Sequence, residues 1–330
     1  MSAQTAQTAL DVAEVPTTAP RRQRALRFPR SRKTVVGLVL LAVFVLLAVL
    51  GPWLAPHDPT ATSGALLQGP SAAHLLGTTQ SGQDVLSELL VGARGTVLIG
   101  FLAGLIASVL SVLIGVTAGY LGGLADDLLS LLTNVFLVVP GLPLLIVLAA
   151  YLPKSTGANP FVLALIISVT GWAWGARVLR AQTMSIRGRD YVAAARVAGE
   201  RTSRIIFAEI LPNLTAIVAS SFVFTVLYAV GTYVALAFLG VVDPAQWSWG
   251  GMLFWADSQN AAQVGAWWWF LPPGLAIALL GTSLALLNFG LDEFINPRLR
   301  AAGLSRKAAK AAGVPRRVRF GLTPVRGGRR

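Results

Sequence analysis

The 330-residue sequence predicts an all-α polytopic membrane protein of six transmembrane helices. Three observations carry that prediction. Hydrophobic residues make up 55% of the chain and charged residues only 12%, about half of the ~25% typical of soluble domains. The apolar residues gather into blocks of about 20, the length an α-helix needs to cross roughly 30 Å of hydrocarbon at ~1.5 Å per residue. The basic residues fall into three groups, which an even number of spans brings to one side of the bilayer.

Residues 1–34 form a basic arm whose first 20 residues, rich in Ala, Thr, Gln and Pro, contain no apolar block, and the arm is expected to be disordered. The first apolar run follows Lys33 and is too long for the core of a cleaved signal. Six spans are read at 35–54, 95–119, 127–150, 160–180, 213–240 and 270–291. Residues 35–94 thus hold the first helix and an extracytoplasmic loop. Residues 95–297 hold the core, with a cytoplasmic loop at 181–212, and residues 298–330 form a basic tail.

Of 27 Lys and Arg, seven lie between Arg21 and Lys33, seven between Arg177 and Arg204, and eleven from Arg298 onward, leaving only Arg94 and Lys154 elsewhere. With six spans, all three groups share a side. The positive-inside rule makes that side the cytoplasm, with both termini on it. The net charge of +13 is therefore read as orientation and contact with the lipid bilayer rather than as a nucleic-acid surface. Six of nine tryptophans lie in 247–269, and Trp53 caps the first span, as amphipathic rings do at an interface. Residues 241–272 are expected to form an outer loop whose helical pieces rest on the membrane. Gly100 and Gly104, Gly115 and Gly119, and Gly171 and Gly175 recur at the four-residue spacing that lets membrane helices approach closely.

What the chain lacks narrows its chemistry. There is no cysteine, hence no disulfide or thiolate metal site. The only histidines, His57 and His74, lie far apart in one loop and are expected to be solvated, so no metal is expected. The span interiors hold no ionisable relay of the kind proton-coupled carriers use, and Asp126, Asp127, Asp292 and Glu293 sit at span ends within reach of water. None of the four lysines has the glycine-rich context of a phosphate-cradling loop. Active transport by this chain therefore needs a partner that supplies energy, and the chain itself is not an enzyme and has no cofactor of its own.

The stretch from Arg187 to Asn213 contains Asp190, able to cap a short alanine-rich helix, Gly199, able to end it in the left-handed conformation, and Pro212, able to open the next span. A helix, turn and helix parallel to the membrane are expected. This stretch resembles the signature loop of binding-protein-dependent ABC importer permeases, E-A-A, three residues, G, and later L-P. Ala194, Ala195, Gly199, Leu211 and Pro212 match, and Ala193 stands at the family's glutamate position. The segment from His74 to Ser87 resembles G-T-D-x-x-G-R-D-V-L-S-R of the second permease of dipeptide, oligopeptide and nickel systems. Gly77, Thr78, Gly82, Asp84, Val85, Leu86 and Ser87 match, while Thr79, Gln83 and Glu88 depart. Trp249-Gly250, Pro273, Asn288 to Asp292 and Asn296 to Leu299 extend the likeness over about residues 30–300.

The resemblance implies the MetI-like permease fold, a five-helix core plus one leading helix. It also implies a related second permease, two ATP-binding cassette subunits that bind and hydrolyse ATP, and an extracytoplasmic solute-binding protein. The short helix, with Tyr191, Ala193, Ala194, Ala195 and Gly199, and the Leu211-Pro212 pair would couple to the ATPase. Along the fifth span Ser221, Thr225, Tyr228 and Thr232 share one helical face and are candidates for a substrate path. Asn134, where the family usually carries Asp, is another. The expected cargo is dipeptides or oligopeptides; nickel or another small solute on the same scaffold, and an ATP-independent carrier or channel, are the alternatives.

Overall fold

A computed structural model describes residues 32–151, 159–243 and 246–295. The arm before residue 32 and the tail 298–330 lie outside these, as do Lys154 and the motif Asn296 to Leu299. The regular structure of the described residues is helical, with no strand among them. Helix α1 spans Arg32–Leu54, α2 Val85–Leu121, α3 Gly123–Val138, α4 Gly141–Ala150 and α5 Pro160–Ile186. A short α6, Asp190–Val197, is followed by the continuous α7, Thr202–Phe238, then α8, Trp249–Ser258, and α9, Trp267–Ile295. Five of these (α1, α2, α5, α7, α9) are long and apolar enough to cross a membrane singly, and α3 with α4 makes a sixth, broken crossing.

That break departs from the uninterrupted span expected at 127–150. The two helices meet at 88°. Pro140 disfavours helical geometry in the residue before it, and Val139 is extended (φ −67°, ψ 127°), so the chain turns there rather than running straight. A second departure is at α2, which starts at Val85, ten residues before the predicted span. Asp84 caps it by accepting from the Ser87 N–H at 2.9 Å.

The bundle is built around α2. Its small residues form two seams. A Cβ at Gly104 would lie 2.7 Å from Val226 Cα of α7, and one at Gly115 would lie 2.9 Å from Ala176 Cα of α5. At these points backbones touch, which suits a solvent that offers no hydrophobic drive between helices. Ser111 of α2 donates to the Trp172 carbonyl of α5 at 2.6 Å, adding a polar tie across the second seam. Helix α1 lies against α9 and the first part of α2, with Phe44 edge-on to Trp249 at 5.7 Å.

Tryptophans at the α8–α9 end do not all form an interfacial belt. Trp249 and Trp269 are buried in the core, and Trp249 donates from its backbone to Thr96 Oγ1 (3.0 Å) and from Nε1 to the Leu89 carbonyl (2.9 Å). Trp268 Nε1 reaches the Thr78 carbonyl at 3.2 Å. Trp255 and Trp267 remain exposed. The tryptophans thus lock α8 and the loop 55–84 onto the bundle.

Candidate functional site

The end of the bundle where α2, α5 and α6 finish carries the predicted docking stretch. Helix α6 stands on one side chain: Val192 is fully buried among Val116, Tyr120, Leu179, Ile205, Ile210 and Leu214. Burial of a valine is worth about 1.5–3 kcal/mol. Arg196 supplements it, placing its guanidinium 5.0 Å from the Tyr120 ring centre and donating through Nε to the Tyr120 hydroxyl at 3.3 Å. Asp190 does not cap the helix. Arg189 occupies the cap position without a side-chain bond, and Asp190 lies in the first turn, where its charge suits the helix dipole.

The helix ends as predicted at Gly199, whose φ is +77°. The Glu200 N–H donates to the Ala195 carbonyl at 3.1 Å and the Gly199 N–H to the Arg196 carbonyl at 3.0 Å, the paired bonds of a Schellman ending. No atom lies within 4 Å of where a Gly199 Cβ would stand, so only backbone conformation demands glycine inside this chain. Tyr191, Ala193 and Ala194 are exposed, Val197 is 90% exposed, and Ala195 is half-buried against the Val192 cluster. The outcome is a small-residue ridge projecting from a firm base. Ala193, the departure from the family pattern, is on the exposed side and carries no part of the seating.

Pro212 stands where expected, in the first turn of the α-helical run Leu211–Phe238, but that run is not the beginning of α7, which continues back to Thr202. Residues Ile205–Ile210 just ahead of it form a π-helical turn, with the Leu211 N–H donating to the Ile206 carbonyl. Proline has no N–H for its own backbone bond, and a wider turn re-registers the ladder around it. Arg204 pairs with Glu200 across the turn before it. This joint links α6 directly to the membrane-crossing part of α7.

Two further anchors were not anticipated. Asp126, expected at a wet span end, is buried and held bidentately by Arg180 of α5 at 2.5 and 2.7 Å, with Ser130 donating at 3.0 Å. Arg187 donates to the Gly119 carbonyl at 3.1 Å. The sequence signal available for the first was an Asp and an Arg at facing ends of adjacent predicted spans.

The predicted path residues separate. Thr225 and Tyr228 line a cavity of about 220 Å³ with Thr170, Gly171, Trp174 and Phe224, at the break between α3 and α4. Tyr228, 38% exposed, has its hydroxyl 3.1 Å from Thr170 Oγ1, and the Trp174 and Phe224 rings lie 5.0 Å apart. Thr225 spends its proton on the Ser221 carbonyl at 2.8 Å. Thr232 is buried, Ser221 is half-buried, and neither lines this cavity. Asn134, also outside its lining, accepts from Arg177 at 2.8 Å.

At the opposite end of the bundle, the histidines are not the separate solvated residues expected. The His57 and His74 rings lie 5.0 Å apart, and His74 is 9% exposed against Asp84. Burial pushes the Asp84 carboxyl up, yet hydrogen bonds from the Ser87 hydroxyl, His74 and the Ser87 N–H, with the His57 charge beside it, hold it below the ordinary carboxylate range.

A broken membrane helix beside a cavity, with an exposed short helix hung from the same bundle, suits a membrane permease. Residues 111–301 match the family described as binding-protein-dependent transport system inner membrane component, and residues 20–70 match the N-terminal TM domain of oligopeptide transport permease C. The chain is 35% identical to a putative peptide transport system permease protein of Brucella suis over 84% of its length and 92% of that protein. It is 31% identical to the oligopeptide transport system permease protein OppC of Bacillus subtilis, over 83% of this chain and 88% of that one. With the di/tripeptide transport system permease protein DppC of Pseudomonas aeruginosa it shares 32% identity, over 83% and 91%. The chain belongs to the binding-protein-dependent transport permease family, and it is a multi-pass membrane protein.

Proposed function

We propose that this chain is the permease subunit of an ATP-driven importer of dipeptides and oligopeptides, with both termini in the cytoplasm. It forms the translocation path with a related permease, receives cargo from an extracytoplasmic solute-binding protein and is driven by two ATP-binding cassette subunits. ATP binding and hydrolysis belong to those subunits, and this chain carries no cofactor for them. The peptide assignment rests on the named relatives, and the coupling assignment rests on α6. One observation carries it: a ridge of Ala193, Ala194 and Gly199, flanked by Tyr191 and Val197, protrudes without a partner surface among the described residues while its base is fixed by Val192. Small side chains let a groove of the ATPase close on the helix, and Ala195, Leu211 and Pro212 pass the movement to α7.

Tyr228, Thr225 and Thr170 supply hydroxyls to the cavity, where a peptide's polar backbone finds partners beside the Trp174 and Phe224 rings. The test uses the assembled transporter in vesicles. Ala194→Cys is expected to cross-link to the ATPase subunit and to be labelled only from the cytoplasmic side. Ala194→Arg is expected to lower peptide uptake at least about tenfold with unchanged membrane content. Labelling from outside, or full uptake in Ala194→Arg, overturns the coupling role.

A further inference from the structure

The loop between α1 and α2 gathers the chain's only two histidines and one buried aspartate at a single point. His57 Nδ1 lies 3.7 Å from Asp84 Oδ2, His74 Nδ1 lies 2.9 Å from Asp84 Oδ1, and one ligand-type atom from each residue falls within 4.8 Å of the others. They come from three places in the chain: just beyond α1, the middle of the loop, and the cap of α2. We infer that His57, His74 and Asp84 form a binding site for a zinc-class divalent metal ion that fastens this loop to the start of α2.

The surroundings are those of a built site. Ser87 holds Asp84 Oδ2 from its N–H (2.9 Å) and its hydroxyl (2.7 Å), which leaves Oδ1 facing His74. The same Ser87 hydroxyl accepts from the His57 N–H at 3.1 Å, so one residue positions two of the three ligands. The backbone of His74 is pinned three ways: its N–H donates to Ser71 Oγ (3.1 Å), and its carbonyl accepts from the N–H groups of Ser71 (2.8 Å) and Gly77 (2.9 Å). Outer-shell bonds of this kind orient metal ligands. Two imidazoles and one carboxylate suit Zn²⁺, which takes N and O ligands at ~2.0–2.2 Å and leaves a fourth position for water. An ion at this point would replace the direct His74–Asp84 hydrogen bond, and the exposed His57 ring stands at the edge of the site. No bond to any other chain is involved, so this site and the transport role stand or fall separately.

The full chain, purified in detergent without a histidine tag and stripped with chelator, is titrated with Zn²⁺ in competition with a chromophoric chelator. One equivalent is expected to bind, and X-ray absorption is expected to show imidazole nitrogen and carboxylate oxygen neighbours. His57→Ala and His74→Ala are each expected to weaken binding at least about tenfold, the lower range for disturbing even an outer-shell partner. Besides its backbone N–H, which alanine retains, His57 gives the scaffold only an exposed ring beside His74 and Asp84, so His57→Ala is expected to change the metal-free melting midpoint little while losing the rise that Zn²⁺ gives the parent chain. Binding well below one equivalent, a shell without imidazole, or undiminished affinity in His57→Ala overturns the site.

Discussion

Ala193 stands at the glutamate position of the signature loop that this stretch resembles, and it lies outside the Val192 cluster, so a carboxylate is not needed there to seat the helix. The helix is seated by Val192 and by Arg196 on Tyr120, so Ala193→Glu is expected to leave uptake within about twofold of the parent, measured in vesicles with the assembled transporter. Val192→Ala removes the seat and leaves a cavity, at a cost of about 1–3 kcal/mol; loss of ATPase stimulation by cargo is the readout. On the cavity side, Tyr228→Phe takes one hydroxyl from Thr170 while keeping the ring. A shift in preference across a peptide series of a few-fold, with total uptake retained, is expected. An unchanged series would make Tyr228 a packing residue.

Among the elements, the clamp between α3 and α5 is the one whose strength is simplest to measure. Asp126→Ala strands Arg180, and breaking a buried pair in this way costs ~3–5 kcal/mol when both partners are fully enclosed. The Arg180 side chain is 33% exposed, so about 2 kcal/mol is expected, read as a lower melting midpoint in detergent and partly recovered in Asp126→Ala with Arg180→Ala. Apolar run length in the sequence was enough to locate every candidate crossing element among the described residues. The break at Val139–Pro140 was also written in the sequence, as a proline in mid-span, but run length alone treats a bent pair and a straight rod alike. The Schellman ending was legible because it is local: one glycine sets it. The Arg180 clamp and the histidine cluster were not, because each depends on residues brought together from distant positions, Asp126 with Arg180 and Asp84 with His57, and the π turn, though local, has no signal in the apolar pattern beyond the proline that follows it.

For the molecule as a whole, glycine seams decide which parts can move. Gly104→Leu drives a side chain into the Val226 backbone, an overpacking cost of about 3 kcal/mol, and is expected to abolish the monodisperse peak in size-exclusion chromatography. Since α2 meets both α5 and α7 at backbone level, sliding along either seam would drive side chains into backbone. Helix α7 runs 37 residues, about 55 Å, well beyond the ~30 Å of hydrocarbon it crosses. Its contact with Gly100 and Gly104, at Val230 and Val226, lies about two-thirds of the way along. For a push that tilted α7 as a rod, that contact would serve as the fulcrum. A sideways push delivered beneath the π turn would reappear past Tyr233 reversed in sense and about half as large, so the rod trades reach for force at its far tip.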